Sequence, residues 1–314
     1  MAAWKVLVTD GLEESGKALM REVAEVDDRP GITAEELLQV VGEYDALVVR
    51  GRTKVTAAVF EAGCNLKVVG RAGVGVDNID LNAAKQHNVT VVNSPLATTI
   101  SVAELTMAML LSLVREVPRA DAAMKNGKWL KKELEGTELY QKTLGIIGFG
   151  RIGQAVAKRA KAFEIQVAVV CDPYSNCETV EEMGCKAVDL DELLSIADII
   201  TLHIPLSSET KSLLGPEQFA KMKDGVYIID AARGGVVDED ALFAALESGK
   251  VAGAALDVFS AEPPGLTPLV AHPKVIATPH IGAQTQEAQQ RAAYDISTEI
   301  VRALKGDQLR WRVA

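Results

Sequence analysis

Arg233, Glu262 and His280 each follow a short apolar run in the second half of the chain. Such runs predict strands, and the carboxyl ends of parallel strands meet at one edge of a sheet, where ligands bind. An imidazole can take the proton of a hydroxyl, while a neighbouring carboxylate orients the ring and favours its protonated form. A guanidinium can bind a carboxylate through two hydrogen bonds and polarise a carbonyl. The set predicts a site that oxidises a hydroxyl to a carbonyl, with a bound cofactor accepting the hydride.

The chain has four histidines, so the choice of proton acceptor is narrow. His87 lies at the end of a polar helix, His272 lies in a loop before a proline, and His203 precedes a predicted cofactor loop. A single histidine in a sequence is more often structural than catalytic. The position of His280 just past a strand end, in the same half as an arginine and a glutamate placed alike, favours the catalytic interpretation.

Residues 143–172 predict the site of the hydride acceptor. An apolar strand leads into a G-x-G-x-x-G spacing formed by Gly148, Gly150 and Gly153, and a helix and a second strand that ends at Asp172 follow. This is the order of a dinucleotide-binding fingerprint, in which the glycines permit a tight turn, approach of the pyrophosphate and close helix packing. Asp172 is expected to bind the ribose hydroxyls and to favour NAD over NADP. The alternative, a glycine-rich turn of an ordinary α/β unit, leaves Asp172 unexplained.

Strands alternate with helices along the chain, which predicts parallel sheets with both faces covered. A turn is expected at 27–31 within the first alternation. A long helix is expected at 101–114. The more polar segment at 115–141 follows it and is expected to form a second helix and an arm. The alternation of strands and helices resumes at the fingerprint. After His280 a further long helix is expected at about 285–304. The predicted fold class is α/β, with two Rossmann-like domains.

Composition excludes some classes of function. The net charge of −10 argues against a protein that binds nucleic acid or an anionic membrane, because such proteins need a basic field. The four cysteines form no C-x-x-C and no metal-ligand spacing, so we expect no metal site and four reduced, incidental thiols. The N-terminus lacks the basic segment of a targeting signal, and the expected location is the cytoplasm.

A second glycine-containing loop follows a predicted strand at residues 70–75. Asn78 stands where a third glycine would be needed, so this loop is not a second fingerprint. It is either a nest of backbone N–H groups that binds an anion or an ordinary turn between strand and helix. Spacing alone does not decide between the two.

Six segments resemble the D-isomer-specific 2-hydroxyacid dehydrogenases. They are VVGRAGVGVDNID, SVAELTMAMLL, GTELYQKTLGIIGFGRIG, AARGGVVDEDAL, GAALDVFSAEPP and TPHIGAQTQEA, and the resemblance runs from residue 5 to about 305. The resemblance implies a discontinuous substrate-binding domain at 1–98 plus 284–314 and an inserted NAD-binding domain at 99–283. It also implies that the segments connecting them act as hinges and that the protein is a homodimer through the NAD-binding domain, with 115–141 as the contact.

The resemblance assigns roles to individual residues. It implies the catalytic roles already derived for Arg233, Glu262 and His280, and it places Asp257 at the nicotinamide carboxamide. The residues implied in NAD binding are Val74, Gly148, Gly150, Arg151, Ile152, Gly153, Asp172, Ile204, Ala231, Ala232, Asp257, Ile281, Gly282 and Ala283. Those implied in substrate binding are Arg50, Arg71, Val74, Gly75 and Thr98.

The expected substrate contacts differ in kind. Val74 and Gly75 offer backbone N–H groups to the substrate carboxylate, and Arg50 and Arg71 face a phosphate, whose oxygens fit the planar guanidinium. Arg52 is the weaker candidate, and a solvated loop charge is the alternative for both Arg50 and Arg52. Thr98 occupies a position where members that act on phosphoglycerate usually have asparagine.

The expected activity is NAD-dependent oxidation of 3-phospho-D-glycerate to 3-phosphohydroxypyruvate, the first step of the phosphorylated route to serine. A reductase of glyoxylate or hydroxypyruvate in the same family needs the same arginine, glutamate and histidine but no phosphate clamp. An NAD-sensing co-repressor of the same fold also retains these three residues. Turnover of a phosphorylated acid would separate the enzyme from the co-repressor.

Overall fold

The structure is a computed structural model that describes residues 4–170 and 177–314. The chain divides into two compact units. The first unit is Met1–Thr99 with Ala283–Ala314, and the second unit is Ile100–Gly282. Each is built on a parallel sheet, which confirms the predicted α/β fold class.

Helices and strands alternate in both units. The strands are β1 (Trp4–Val8), β2 (Ala24–Asp28), β3 (Ala46–Val49), β4 (Val68–Arg71), β5 (Thr90–Asn93), β6 (Thr143–Ile147), β7 (Gln166–Val170), β8 (Lys186–Val188), β9 (Ile199–Leu202), β10 (Val226–Asp230), β11 (Val251–Leu256) and β12 (Val275–Ala277). The helices are α1 (Glu14–Arg21), α2 (Ala34–Val40), α3 (Ala57–Ala62), α4 (Leu81–Gln86), α5 (Thr99–Val114), α6 (Val117–Lys125), α7 (Arg151–Ala160), α8 (Cys177–Glu182), α9 (Leu190–Ile196), α10 (Pro216–Lys221), α11 (Glu239–Glu247) and α12 (Gln286–Lys305).

The sheet of the first unit has the strand order β2-β1-β3-β4-β5. Its central strands are buried on both faces, as their apolar sequences require. The turn expected at 27–31 is wrong in part, because residues 24–28 form β2, which pairs with β1 in parallel. This edge strand is polar, and Lys17 Nζ lies 2.7 Å from Asp28 Oδ2 beside it. Edge strands tolerate such residues, which is why no apolar run marks it.

Local sequence signals determine where helices begin. The Thr33 hydroxyl accepts the Glu36 N–H at 3.2 Å, and Glu36 Oε2 accepts the Thr33 N–H at 2.8 Å. This reciprocal pair is a capping box and satisfies two otherwise unpaired donors at the start of α2.

Helix α12 belongs to the first unit, although about 180 residues of the second unit precede it. Ile296 and Ile300 pack on Gly70 of β4. A Cβ on Gly16 would come within 2.7 Å of the Ala293 carbonyl oxygen, so α1 and α12 approach closely at this glycine.

The last residues of the chain pair with the edge of the same sheet. Val313 donates its N–H to the Val91 carbonyl at 2.7 Å, and the Val91 N–H donates to the Ala314 carbonyl at 3.0 Å. The fully buried Glu299 carboxylate accepts the backbone N–H groups of Arg310 and Trp311 at 2.8 and 3.0 Å. One side chain of α12 therefore fixes the start of this terminal segment.

The sheet of the second unit has the order β12-β11-β10-β9-β6-β7-β8. From β6 the chain adds β7 and β8 on one side of the sheet and then β9 to β12 on the other side. The position between β6 and β9 is therefore the topological switch point, where open α/β sheets bind ligands. Leu110 and Leu113 of α5 pack with Leu144 and Ile146 of β6, so the long apolar helix covers one face of this sheet. Within residues 4–170 and 177–314, no helix is long and apolar enough to cross a bilayer.

The cysteines differ in state. Cys64 and Cys185 are free thiols, and Cys177 is disulfide-bonded. The expectation of four reduced thiols is therefore wrong for Cys177. No C-x-x-C spacing marks this residue, so its pairing had no signal in the sequence.

Replacing Glu299 by alanine tests the anchoring of the terminal segment. The variant leaves two backbone N–H groups and the Arg302 guanidinium, 3.3 Å from Glu299 Oε1, without their buried acceptor. We expect the free energy of unfolding to fall by about 1–3 kcal/mol and the Val91 amide to exchange faster. Urea unfolding and hydrogen exchange measure both. Asp307→Ala, at an exposed position just beyond α12, is the control, and equal loss in the two variants would contradict the assignment.

Candidate active site

The glycine loop after β6 has the geometry that its spacing predicts. Gly148 has φ +97, and a Cβ there would lie 2.6 Å from the His203 carbonyl oxygen. A Cβ on Gly153 would overlap the Gly148 carbonyl, so α7 packs directly on the end of β6. The Cα of Gly150 faces open space, with no atom within 4 Å of a Cβ built on it. The loop therefore leaves one approach open, beside the N-terminus of α7.

The groups around this opening fit a dinucleotide. Helix α7 begins at Arg151, whose side chain is exposed, and Ile152 is half-buried. Free N–H groups in the first turn of a helix favour the phosphates of NAD. Ile204 follows β9 and lies against Gly148, on the other side of the switch point. Asp172, the predicted ribose ligand, lies outside the described residues.

Arg233 is on a loop held by a buried carboxylate. Asp230 is the last residue of β10, and its Oδ1 accepts the Ala232 N–H at 2.9 Å. Burial raises the pKa of Asp230 to about 7, although the Ala232 N–H and the Arg233 charge favour its ionised form. Ala231 and Ala232 are themselves buried. Arg233 Nη1 donates to the Ala232 carbonyl at 2.7 Å, which orients the guanidinium.

Glu262 and His280 are in direct contact. His280 Nδ1 lies 2.8 Å from Glu262 Oε2, and Glu262 Oε1 accepts the Phe259 N–H at 3.2 Å. Burial tends to raise the pKa of Glu262, but the hydrogen bond and charge of His280, with the Phe259 N–H and the Arg233 charge, lower it below its ordinary value. The carboxylate is therefore ionised at neutral pH. In the part of the chain that the structure describes, no group forms a hydrogen bond with the other ring nitrogen of His280, Nε2, so it is available to a ligand.

Asp257 determines the conformation of the loop that carries His280. It is 1% exposed, and its Oδ1 accepts the Thr278 hydroxyl at 2.6 Å and the Ile281 N–H at 2.8 Å. Its Oδ2 accepts the Gly282 N–H at 2.8 Å. His280 lies between these anchors with φ +52, a left-handed conformation that few residues adopt. The sequence indicated Asp257 only as a cofactor ligand, and the loop-anchoring contacts of Thr278 had no signal.

Two of the other histidines, His203 and His272, have structural environments. Burial lowers the pKa of His203 to about 3, so its ring is neutral, and its Nε2 lies 3.1 Å from the Thr201 hydroxyl. His272 contacts Glu247 at 3.0 Å and accepts the Lys274 N–H at 3.1 Å. Neither offers a proton acceptor to a ligand as His280 does.

In the first unit, the arginines at the ends of β3 and β4 differ in their contacts. Val49 pairs with Arg71, so Arg50 and Arg71 leave the sheet at adjacent positions. Arg52 donates to the carbonyls of Thr9 and Ile32 and contacts Asp10 at 3.0 Å. The half-buried Arg50 guanidinium makes no hydrogen bond or ion pair within the described residues. Burial lowers the pKa of Arg50, while the charges of Asp10 and Glu13 oppose this effect.

The loop after β4 has backbone N–H groups available. The carbonyl of Val74 accepts a hydrogen bond from the Asn93 side chain at 2.6 Å. In the described part of the chain, no backbone carbonyl accepts the N–H of Val74 or Gly75. Thr98 is buried, at 6% exposure. Ala283, the last of the predicted NAD ligands, begins the second segment of the first unit, and its carbonyl accepts a bond from Gln289 at 2.6 Å.

A family comparison agrees with this geometry. Residues 107–282 match the family described as D-isomer specific 2-hydroxyacid dehydrogenase, NAD binding domain. The match covers more than half of the chain. The chain belongs to the D-isomer specific 2-hydroxyacid dehydrogenases. The matched residues lie in the second unit, so NAD is the cofactor that its glycine loop fits.

Individual proteins are similar over most of the chain. The chain is 50% identical to D-3-phosphoglycerate dehydrogenase of Methanocaldococcus jannaschii, over 96% of this chain and 58% of that protein. It is 44% identical to the hydroxypyruvate reductase of Thermotoga maritima, over 97% of this chain and 99% of that protein. The structure of the TT0316 protein of Thermus thermophilus matches with a TM-score of 0.90 and 35% identity, covering 99% of this chain and 100% of that one. The chain spans about half the length of the D-3-phosphoglycerate dehydrogenases that it matches.

The second and third glycines of the 2-hydroxyacid dehydrogenase fingerprint are expected to respond differently to a methyl group. The added methyl group of Gly150→Ala lies in open space, so the melting temperature should not change. NADH affinity should fall by about tenfold or more, because the pyrophosphate can no longer approach the backbone closely. Gly153→Ala forces α7 off β6 and should cost about 1–3 kcal/mol of stability. Thermal unfolding without ligand and NADH fluorescence titration distinguish them. Unchanged NADH affinity in a folded Gly150→Ala would contradict the role of the loop.

Proposed function

We propose that this protein catalyses the NAD-dependent oxidation of 3-phospho-D-glycerate to 3-phosphohydroxypyruvate, the first step of the phosphorylated route to serine. The observation that carries the reaction is the 2.8 Å contact between His280 Nδ1 and Glu262 Oε2 in the unit that matches an NAD-binding domain. Support for the substrate comes from the Arg50 guanidinium, which has no hydrogen bond or ion pair among the described residues, and from the relatives named D-3-phosphoglycerate dehydrogenase.

His280 is the general base of the proposed reaction. Its Nδ1 is engaged by Glu262, so Nε2 takes the proton of the substrate hydroxyl. The ionised Glu262 carboxylate stabilises the imidazolium that results. In the reverse direction the same nitrogen returns the proton to the carbonyl oxygen.

Arg233 binds the substrate carboxylate and polarises the reacting C–O bond. Its charge also lowers the pKa of Glu262, which keeps that carboxylate ionised. NAD, when bound, accepts the hydride from the carbon that carries the hydroxyl. Gly148 to Gly153 hold its pyrophosphate at the α7 N-terminus, and Asp257 with the loop 280–283 supports its nicotinamide side.

Arg50 and Arg71 bind the phosphate group, and the N–H groups of Val74 and Gly75 bind the carboxylate. A half-buried cation without a protein partner is unfavourable unless a ligand completes its environment. Arg50 fits that description, because its guanidinium has no hydrogen bond within residues 4–170 and 177–314. Thr98 is also assigned to substrate binding, where its uncharged hydroxyl group can make one neutral hydrogen bond.

A reductase of hydroxypyruvate or glyoxylate is the second candidate. The observation that favours it is the match to a hydroxypyruvate reductase along 99% of that protein's length. This reaction uses the same three catalytic residues. It needs no cation at position 50.

A homodimer formed through the NAD-binding domain is part of the proposal. The segment 115–141 exposes several large apolar side chains, which a second copy of the chain would cover. They are Val117, Met124, Trp129 and Tyr140, and Trp129 is 75% exposed. We also propose that the protein is located in the cytoplasm.

Replacing His280 by alanine removes the proposed base. We expect kcat to fall by roughly 10²–10⁴-fold, the usual contribution of a general acid or base, while the NADH dissociation constant changes little. Steady-state rates and NADH fluorescence measure the two. His87→Ala, at an exposed histidine of the first unit, is the control. Activity within a few-fold of wild type would remove His280 from the mechanism.

The choice of substrate is tested by NADH oxidation with 3-phosphohydroxypyruvate, hydroxypyruvate and glyoxylate at equal concentrations. We expect a strong preference for the phosphorylated acid. Arg50→Ala should raise its KM by about tenfold or more, because a hydrogen bond between charged groups is lost. Arg29→Ala, which breaks an exposed ion pair in the same unit, should not. Equal or better rates without the phosphate would assign the protein to the reductase branch.

A further inference from the structure

Asp10 organises the loop that carries Arg50. Its side chain is only 4% exposed and follows β1 by two residues. Its Oδ2 accepts the backbone N–H groups of Arg50 and Thr53 at 2.8 and 3.0 Å. Its Oδ1 accepts the Thr53 hydroxyl at 2.5 Å and lies 3.0 Å from Nη2 of Arg52. One buried carboxylate thus contacts three of the four residues 50–53, which we call the Arg50 loop.

Asn78 holds the same loop through its carbonyl groups. The Nδ2 of Asn78 donates to the Arg50 carbonyl at 2.9 Å and to the Thr53 carbonyl at 2.6 Å. At both residues, the N–H is bound by Asp10 and the carbonyl is bound by Asn78. The backbone on either side of the Arg50 side chain is therefore fixed from two directions.

Arg52 is engaged within the protein by the same arrangement. Its guanidinium donates to two carbonyls, those of Thr9 and Ile32, and pairs with Asp10. These contacts use donors of both terminal nitrogens, and the Asp10 charge offsets the charge that Arg52 would otherwise offer to an anion. The expectation that Arg52 is the weaker phosphate ligand thus has a physical reason, namely that Asp10 and the two carbonyls bind it.

Arg50 differs from Arg52 in its side-chain contacts. Its backbone is fixed by Asp10, but its guanidinium has no hydrogen bond or ion pair in the part of the chain that the structure describes. Binding a ligand to a side chain whose loop is already ordered loses less conformational entropy than ordering that loop on binding. The Arg50 loop is therefore organised before an anion arrives, and one arginine of the two remains available.

We propose that Asp10 is a positioning residue for the phosphate of the substrate, acting through the Arg50 loop. The inference rests on the proposed function, since it assigns Arg50 to that phosphate. Asp10 keeps the Arg52 guanidinium bound within the protein and holds the Arg50 backbone in place. Loss of the carboxylate would weaken recognition of the phosphate and leave the proton and hydride transfer unchanged, because those steps use residues of the second unit.

A purely stabilising role for Asp10 makes a different prediction. It would lower the melting temperature and affect phosphorylated and unphosphorylated substrates alike. Asp45 provides the matched control, because it also binds one backbone N–H, that of Lys5 at 2.9 Å, and one cation, Lys67 at 2.8 Å. It precedes β3, at the opposite end of the strand from the Arg50 loop.

The test measures KM and kcat of the full chain with 3-phosphohydroxypyruvate and with hydroxypyruvate for wild type, Asp10→Asn, Thr53→Val and Asp45→Asn. Asp10→Asn should raise the KM for the phosphorylated acid about tenfold relative to that for hydroxypyruvate, as expected when charged hydrogen bonds are lost. The value of kcat should be unchanged. Thr53→Val, which removes one of the bonds, should shift the same ratio less, and Asp45→Asn should not shift it. NADH affinity and the melting temperature report the folded state of each variant.

The outcomes separate this inference from the proposed function. A wild-type protein without preference for the phosphorylated acid overturns both. A wild-type preference that Asp10→Asn and Thr53→Val retain overturns the positioning role alone. An equal shift in Asp45→Asn also overturns it, because the effect would then follow from stability. If Asp10→Asn does not fold, the ratio in Thr53→Val decides.

Discussion

A buried carboxylate is stable only when hydrogen-bond donors surround it, and this requirement determines the loops at the strand ends of both units. Asp10, Asp230 and Asp257 each lie at or just past the end of a parallel strand, and each accepts backbone N–H groups of a loop. A carboxylate that binds two or three donors leaves the loop few alternative conformations. The side chains assigned to proton transfer and anion binding lie on these loops, so their positions depend on carboxylates that need not touch a substrate.

The features that the sequence predicts well are those with a local physical cause. The apolar runs of β3 and β6 must be buried on both faces, which requires parallel sheets with covering layers. Gly148 and Gly153 have a spacing that only a tight turn and a closely packed helix explain. Family membership follows from motifs that span both units, and the family comparison confirms it.

The features that the sequence did not predict depend on contacts between distant residues. Strand β2 has a polar sequence and is recognised only by its pairing with β1. The sequence ranks Arg52 below Arg50 as a phosphate ligand but does not show why: Asp10, 42 residues before Arg52, binds the Arg52 guanidinium. Thr278 becomes important only because its hydroxyl reaches Asp257. Such contacts have no periodicity and no fixed spacing.

The close approach of α1 to α12 at Gly16 has a consequence for how the chain folds during synthesis. The partners of this contact, Gly16 and Ala293, lie at opposite ends of the sequence, whereas the second unit is one continuous segment. Contacts between distant residues form late, and segments made first fold first on the ribosome. We therefore expect the second unit to fold before α12 has been synthesised and has packed on the first 99 residues. Until then, the face of β4 at Gly70, which Ile296 and Ile300 cover in the folded protein, lacks its covering helix.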